Sequence, residues 1–449
     1  MFKQLLLKLK NPHILNLIGN AIMSLLNMVQ VAILFHYLTM SMMGILFFFQ
    51  GTITLVDTFR SGLLSTAFVT SYAGTSKQRA DEIMGSTWML SLIITAIFIF
   101  INVVYLIIPY HVTDYSVNLF MKWFSLMFIL TLPSYIASCV LQAEQQFDKL
   151  LYIRVISTVV SILLIWVLIF TNKINLTTVI YSGFVASGFT SLMTIVLGWA
   201  RLNTIRFRTV KTAKELFAFG KYSVGTTLGS NLFRNSDTYI INFMLGPSSL
   251  AVYNLGLRLM ELIEIPLRSF AVTMMPLLSA AYNQDNKTEV IYLLKKYAGL
   301  LTIALIPVVA GTLLFAEFAV WMIDKKYLAT PAANILRVFM TFALLFPIER
   351  FMALTLDAIN RPRINMVKLI FMLAANVIAD FAGVYFLGNV YGVALATLFP
   401  TLVGLIISYK WLQKYSPFSL WDVYSVGYSE LNLAIKRILS KDKILTVKL

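Results

Sequence analysis

The chain has 449 residues, of which 59% are hydrophobic and only 12% charged, and its mean hydropathy is +0.80. This composition excludes a soluble globular protein and indicates an all-α, polytopic membrane protein. The net charge of +16 is expected from basic cytoplasmic loops rather than from a nucleic-acid partner. One cysteine and three scattered histidines exclude an intramolecular disulfide and a Cys/His zinc site.

Apolar runs long enough to cross a bilayer follow one another along the chain and predict twelve transmembrane helices. The first run lacks a small-residue cleavage site, so it is expected to be a retained helix rather than a signal peptide. Three of the runs exceed the usual length and are expected to be tilted or kinked. The predicted spans are 14–38, 43–71, 83–108, 117–142, 151–170, 177–200, 222–245, 250–281, 291–322, 334–359, 365–387 and 390–411.

Basic residues are concentrated on one side of these spans. The connections after the even-numbered spans, together with the two termini, hold 26 of the 36 lysines and arginines, whereas the opposite connections and their edges hold five. Arg154 and Lys368, which stand near the edges of their spans, are both assigned to the basic side. Because Lys and Arg accumulate in cytoplasmic loops, both termini are expected to be cytoplasmic.

The strongly basic segment 201–221 separates six spans from six. It predicts an N-terminal six-helix lobe of residues 1–200, a cytoplasmic linker, a C-terminal six-helix lobe of residues 222–412 and a tail of residues 413–449. The tail is too polar to span and is expected to form a cytoplasmic or interfacial amphipathic helix.

The two halves resemble each other in sequence. A shift of 207 residues lays "FHYLTMSMMGILFFFQG" (35–51) over "NFMLGPSSLAVYNLGLR" (242–258). Self-similarity between six-span halves is typical of transporters built from repeats, and an even number of spans per repeat makes the two topologies parallel. The expected architecture is therefore two parallel six-helix repeats that flank a central cleft.

The same shift relates a polar stripe on the first span to one on the seventh, each on one helical face. Two interpretations stay open: the stripes line a water-filled cleft, or they hold helices together by hydrogen bonds. The predicted cleft lining consists of Asn16, Asn20, Asn27, Gln30, Thr227 and Asn231.

Five arginines lie inside predicted spans, whereas every lysine is assigned to a loop, a tail or a span edge. A charge at the bilayer centre costs roughly 2.5–3.5 kcal/mol on insertion scales, so each needs a partner or a polar compartment. The guanidinium fork matches carboxylate or phosphate, which makes these side chains candidates for binding a substrate phosphate. They are Arg60, Arg234, Arg258, Arg268 and Arg350.

Acidic residues accompany the arginines. Four acids stand three or four residues from an arginine, a spacing that places both on one helix face, and Glu349 adjoins Arg350. Three roles stay open for these charges: intrahelical ion pairs, contacts of the arginines with substrate phosphate, and ion coupling through the acids. The candidates for pairing or coupling are Asp57, Asp237, Glu261 and Glu264.

Several stretches of the sequence resemble the polysaccharide flippases. "KELFAFGKYSVGTTLGSNLFRNSDTYIINFMLGPSSLAVYNLGLRL" (214–259) is similar to the start of their second half, with Phe-Gly before the helix, Asp237, Leu-Gly-Pro at 245–247 and Tyr253. "LQAEQQFDK" (141–149) and "LDAINRPRI" (356–364) are similar to two of that family's connections. The wider superfamily includes multidrug and toxin extruders and lipid II flippases. Lys221 stands where a proline is common, and the two extra spans of lipid II flippases are missing, which favours O-antigen or capsule repeat units.

The resemblance implies a bacterial inner-membrane flippase in lipopolysaccharide or other polysaccharide biosynthesis. Its substrate would be an oligosaccharide linked to polyprenyl pyrophosphate, with the five arginines as pyrophosphate contacts, and it would move by alternating access. The implied partners are membrane lipids, an H⁺ or Na⁺ counter-ion and polysaccharide assembly proteins. No cofactor is expected.

Two rival functions remain. A drug:cation antiporter of the same superfamily fits the acids in the spans but not the five arginines. An integral-membrane glycosyltransferase, ligase or polymerase is disfavoured, because the outer connections are short and no phosphate loop, metal triad or nucleophile elbow appears in the sequence. The sequence therefore predicts a transporter and not an enzyme.

Overall fold

The computed structural model of the protein describes residues 12–108 and 112–446. The side chains of Asn16 and Asn20, two of the predicted cleft residues, lie outside the described residues. The fold class is confirmed, because the described part is built of α-helices with two short 3₁₀ turns. The helices are α1 (Pro12–Tyr37), α2 (Met40–Tyr72), α3 (Lys77–Ile107), α4 (Tyr115–Ala143), α5 (Phe147–Phe170), α6 (Leu176–Val196), α7 (Val210–Leu245), α8 (Pro247–Asn283), α9 (Lys287–Ile323), α10 (Ala332–Ala343), α11 (Phe346–Ala358), α12 (Pro362–Leu387), α13 (Val390–Ala396), α14 (Leu398–Tyr415) and α15 (Leu420–Thr446).

Each of the twelve predicted spans lies on one helix or on two consecutive helices. Eight spans in the described part are long and apolar enough to cross a membrane, or ten if two bent helix pairs each count as one. The count of twelve is therefore not confirmed. In α1 only the shorter stretch Ile22–Tyr37 qualifies as apolar, and α7 is too polar because Arg234 and Asp237 lie among many Asn, Ser and Thr residues. The chain is a multi-pass membrane protein.

Two of the spans are bent, and one of them is the long eighth span, for which the sequence predicted a tilt or kink. Its helix α8 bends by 45° between Glu261 and Ile263. Pro266 lies inside it and has no N–H to bond the carbonyl four residues earlier, at position 262, so the bend falls where proline breaks the helical ladder. The pair α10 and α11 also bends by 45°, between Ala343 and Phe346.

The chain forms two compact units, residues 1–251 and 252–449. The first unit includes α7, whereas the sequence assigned residues 222–245 to the C-terminal lobe. Of the predicted linker 201–221, residues 202–207 form a 3₁₀ turn and the remainder from Val210 begins α7. The division into six-helix lobes stays a prediction, since packing in this structure groups α7 with the helices that precede it.

Small residues explain why α7 packs so closely along α2. A Cβ atom at Gly220 of α7 would overlap the carbonyl oxygen of Leu63, and one at Gly62 of α2 would lie 3.1 Å from the Cα atom of Val224. Glycines at such positions let two membrane helices approach backbone to backbone. The interface therefore depends on two glycines, one on each helix.

The predicted tail forms the helix α15, which packs along α9 in the second unit. Lys296 pairs with Glu430 at 2.6 Å, and Glu430 also accepts a hydrogen bond of 2.6 Å from the Tyr292 hydroxyl. The backbones cross at Gly299 and Gly427, where a Cβ on either residue would overlap the partner helix. Two aromatic side chains of α15 stay exposed, as is typical of an interfacial helix; they are Trp421 and Tyr428.

Replacement of Gly299 by alanine is expected to lower the free energy of unfolding by about 1–3 kcal/mol, the usual cost of overpacking. The added methyl would overlap the Val423 carbonyl oxygen and push α15 away from α9. Gly311→Ala in the same helix is the matched control, because a Cβ there meets nothing within 4 Å. Thermal unfolding of the two purified variants measures the difference, and equal unfolding temperatures would contradict the close crossing.

Candidate functional site

Polar residues of α7 face α2 within the first unit. The Asn231 amide donates a hydrogen bond of 2.9 Å to the hydroxyl of Thr58 on α2 and one of 3.2 Å to the carbonyl oxygen of Thr227. Thr227 in turn donates to the carbonyl oxygen of Ser223 at 2.8 Å. Of the two interpretations left open by the sequence, interhelical hydrogen bonding describes Asn231.

The stripe on α1 has a similar contact. The Gln30 amide donates a hydrogen bond of 2.9 Å to the hydroxyl of Ser161 on α5. Asn27, one turn earlier, is exposed. The α1 stripe therefore contributes a contact between helices at Gln30 and an accessible amide at Asn27.

Arg60 is held entirely by its neighbours in the first unit. It is 4% exposed and pairs with Asp57 at 2.6 Å, as the spacing of three residues predicted. Its guanidinium also donates to the Phe128 carbonyl at 3.4 Å and the Thr131 hydroxyl at 3.3 Å, both on α4. The guanidinium carbon lies 4.4 Å from the centre of the Tyr135 ring, a cation–π distance. Arg60 thus stabilises the contact between α2 and α4.

Arg234 has a different environment from Arg60. It is exposed in the second half of α7, and among the described residues no carboxylate lies within ion-pair distance of its guanidinium. Asp237, three residues on, accepts a hydrogen bond of 3.4 Å from the Ser236 hydroxyl. Arg234 and Asp237 therefore do not form the ion pair that their spacing permits.

In the second unit, two predicted ion pairs form along α8. Arg258 donates to both carboxylate oxygens of Glu261, at 3.0 and 3.2 Å. Beyond the bend, Arg268 pairs with Glu264 while 59% of its side chain stays exposed. Both pairs are partly accessible, so neither guanidinium is enclosed in the way that Arg60 is.

The adjacent residues Glu349 and Arg350 do not pair with each other. Arg350 is exposed, whereas Glu349 accepts a hydrogen bond of 2.7 Å from the ammonium of Lys368 on α12. Lys368 is 4% exposed and also donates to the Ser408 hydroxyl on α14 at 3.3 Å. Lys368, which the sequence places at a span edge, is therefore buried between α11, α12 and α14. Lys368 can lie nearly two turns inside α12 because a carboxylate of α11 compensates its charge there.

Comparison with known proteins identifies the family. Residues 33–329, about two thirds of the chain, match the model of a family described as "Polysaccharide biosynthesis protein". The chain belongs to the polysaccharide biosynthesis protein family. The resemblance based on the sequence motifs is thereby confirmed.

A relative of this polysaccharide biosynthesis protein is the "Probable low-salt glycan biosynthesis flippase Agl15" of Haloferax volcanii. The two are 21% identical over 386 residues, which cover 84% of this chain and 77% of the relative. Among solved structures, the lipid II flippase MurJ in an inward closed conformation has a TM-score of 0.74 at 18% identity, covering 95% of this chain and 93% of that one.

An inward-facing multidrug resistance transporter of the MATE family and MOP superfamily has a TM-score of 0.70 at 16% identity, covering 87% of this chain and 94% of that one. At these sequence identities the two structures establish the fold alone, and this chain shares that fold with them. The family and its relatives together indicate a transporter rather than an enzyme.

In a membrane protein of this family, exposed arginines within spans have a physical meaning. A guanidinium facing hydrocarbon is costly, so it must meet water, a lipid headgroup or a polar ligand. Arg234, Arg268 and Arg350 are the exposed members of the predicted set. No group of three or more His, Cys, Asp and Glu side chains that could hold a metal ion occurs in the described residues.

Two basic residues that the sequence places at span edges lie well inside their helices. Lys368 lies about two turns inside α12 and Arg154 about two turns inside α5, and their assignment to the cytoplasmic side stays a prediction. When a charged residue stands near the end of a helix, hydropathy places the start of the span a few residues away from the start of the helix. Glu349, an acid inside the preceding span, was the signal in the sequence from which a buried basic partner such as Lys368 could have been predicted.

Proposed function

We propose that this protein is a flippase that moves polyprenyl-pyrophosphate-linked oligosaccharide repeat units from the cytoplasmic to the outer leaflet of a bacterial inner membrane. The repeat units would serve the assembly of a surface polysaccharide, O-antigen or capsule. Both termini would be cytoplasmic. The membership of the polysaccharide biosynthesis protein family supports this proposal, and so does the glycan flippase named among the relatives.

One observation in the molecule carries the proposal. Arg234 presents an exposed guanidinium within the predicted span of α7, with no carboxylate at ion-pair distance among the described residues. Pyrophosphate cannot cross hydrocarbon without compensation of its charge, and a guanidinium fork binds two phosphate oxygens at once. Arg258, Arg268 and Arg350 remain further candidates, whereas Arg60 is already committed to Asp57 and α4.

Ion coupling can be proposed from the paired acids. Glu261 and Glu264 are each held by an arginine that is partly exposed. If a substrate phosphate takes over such an arginine, the carboxylate loses its partner and can take a counter-ion in its place. Substrate and counter-ion would then be linked through Arg258 and Arg268, and such linkage is what coupled alternating access requires.

The drug:cation antiporter remains the second candidate, because a MATE transporter shares the fold. An antiporter for cationic drugs needs unpaired carboxylates in its binding site. In the second unit Glu261 and Glu264 of α8 are paired with arginines, which favours an anionic substrate over a cationic one.

The test is a transport assay with the purified protein in proteoliposomes. A fluorescent oligosaccharide linked to undecaprenyl pyrophosphate is incorporated, and a membrane-impermeant quencher reports how much of it reaches the outer leaflet. We expect the protein to make the inner pool accessible within minutes, while empty liposomes keep it protected. Efflux of ethidium from the same liposomes is the control for the antiporter, and ethidium efflux without lipid movement would reject the flippase.

A further inference from the structure

An open cavity lined largely by hydroxyl-bearing residues lies in the first unit, bounded by side chains of α1, α4, α5 and α6. It has a volume of about 290 Å³, which is close to the lower end of ligand pockets, about 300–1,000 Å³. None of its described lining residues belongs to α7. Its polar lining includes Thr131, Ser134, Arg154, Ser157, Thr158 and Ser187.

Arg154 supplies the only formal charge among the described lining residues. It lies two turns into α5, its side chain is exposed, and among the described residues its guanidinium has no ion pair and no hydrogen-bond partner. No carboxylate is among the described lining residues. The cavity is therefore positively charged, which favours an anionic group beside Arg154.

Several hydroxyl groups of the lining act as acceptors. Thr158 donates its proton to the Arg154 carbonyl at 3.1 Å and Ser134 to the Thr131 carbonyl at 3.0 Å, so both keep oxygen lone pairs for another donor. Thr131 donates to the Met127 carbonyl at 2.8 Å and already accepts from Arg60. The oxygens of Thr158 and Ser134 suit a ligand that has hydroxyl donors of its own.

Two other hydroxyls have no strong acceptor among the described residues. Ser157 has no hydrogen-bond partner among the described residues, whereas Ser187 donates its proton at 3.8 Å to the thioether sulfur of Met127, a weak acceptor that a ligand oxygen can replace. Together with Arg154 they give the cavity donors as well as acceptors. A sugar that carries an acidic group has both requirements in one molecule: hydroxyls that donate and an anion that accepts.

We propose that this cavity binds an anionic sugar, a monosaccharide unit bearing a carboxylate or a phosphate group. The proposal rests on the proposed function, because the glycan of a lipid-linked substrate supplies such a unit. Arg154 binds the anionic group, Ser157 and Ser187 donate to it or to a ring substituent, and Thr158 and Ser134 accept from sugar hydroxyls. The site selects substrates by their glycan and is separate from the pyrophosphate contact at Arg234.

The test measures protection of a thiol in the cavity. Met23 lines the cavity and takes no part in the polar contacts, so Met23→Cys is made in a Cys139→Ser background and reacted with a small charged thiol reagent. The added probes are glucuronic acid, glucose 1-phosphate, glucose and inorganic phosphate. We expect glucuronic acid, glucose 1-phosphate or both to slow labelling at least fivefold, and glucose and inorganic phosphate to have little effect.

Arg154→Gln is expected to raise at least tenfold the concentration of the protecting sugar that gives half-maximal protection. Lys122→Gln is the matched control, because it removes one exposed positive charge from α4 of the same unit and should leave protection unchanged. Protection by glucose equal to that by glucuronic acid would overturn the charge recognition, and equal protection by inorganic phosphate would overturn the sugar. Lack of labelling or of any protection would overturn the site.

The outcome separates this proposal from the flippase itself. Arg154-dependent protection in a protein that moves no lipid-linked oligosaccharide would keep the sugar site and reject the flippase. Lipid movement by a protein whose Arg154→Gln variant binds glucuronic acid normally would keep the flippase and reject the site.

Discussion

Lys368→Met is expected to lower the free energy of unfolding by about 3–5 kcal/mol, because it leaves a buried carboxylate without its partner. The ammonium of Lys368 lies 2.7 Å from Glu349, and the two side chains are 5% and 19% exposed. Water cannot easily replace the lysine around the acid. The loss is measured as the change in midpoint and slope of denaturant unfolding of the purified protein.

The double variant Glu349→Gln/Lys368→Met should recover most of that loss, since a neutral amide carries a smaller burial cost than an unpaired charge. Arg350→Gln is the matched control: it removes an exposed charge next to Glu349 and should change stability by less than about 0.5 kcal/mol. A double variant as unstable as Lys368→Met alone would show that lysine packing, and not the charge pair, holds α11 to α12.

Arg234→Gln is expected to reduce lipid flipping by about tenfold to a hundredfold while leaving stability nearly unchanged. The range corresponds to about 1.5–3 kcal/mol for hydrogen bonds to a charged group, at about 1.4 kcal/mol per tenfold. Stability should hold because no carboxylate within the described residues depends on Arg234 at ion-pair distance. Flipping is measured in proteoliposomes at matched protein content, together with the unfolding temperature.

Two further variants sharpen this result. Arg234→Lys keeps the positive charge but loses the two parallel N–H donors of the guanidinium. If Arg234 binds two phosphate oxygens at once, this variant should also lose lipid flipping. Arg60→Gln is the contrasting variant, because it leaves Asp57 unpaired in a buried contact and should lower stability first. A fully active Arg234→Gln, or a fully active Arg234→Gln/Asp237→Asn, would remove Arg234 from the substrate site.

Features that depend on residues close together along the chain could be predicted from the sequence. Hydropathy located the long helices, and the spacing of three or four residues identified three ion pairs within helices. The pairs are Arg60 with Asp57, Arg258 with Glu261, and Arg268 with Glu264. Each of these contacts lies within one helix, so its geometry follows from the helical repeat alone.

Contacts between helices could not be predicted in the same way. Glu349 has an arginine beside it in sequence but pairs with a lysine nineteen positions on, because adjacent residues on a helix point in different directions. Likewise, Arg234 and Asp237 have a suitable spacing and do not pair. The internal repeat relates α7 to α1 in sequence, yet it does not tell which helix α7 packs against.

The polarity of α7 bears on how the protein is made. Taken alone, this helix is not apolar enough to partition into a bilayer, since Arg234 by itself costs roughly 2.5–3.5 kcal/mol near the centre. In the folded protein α7 packs on α2 through Gly62 and Gly220 and through the hydrogen bond from Asn231 to Thr58. Because α2 precedes α7 in the chain, it is synthesised first. We therefore expect the insertion of α7 to depend on its packing against α2 during synthesis. A larger residue at Gly62 or Gly220 should then appear as a mis-inserted nascent chain rather than as a weakened mature protein.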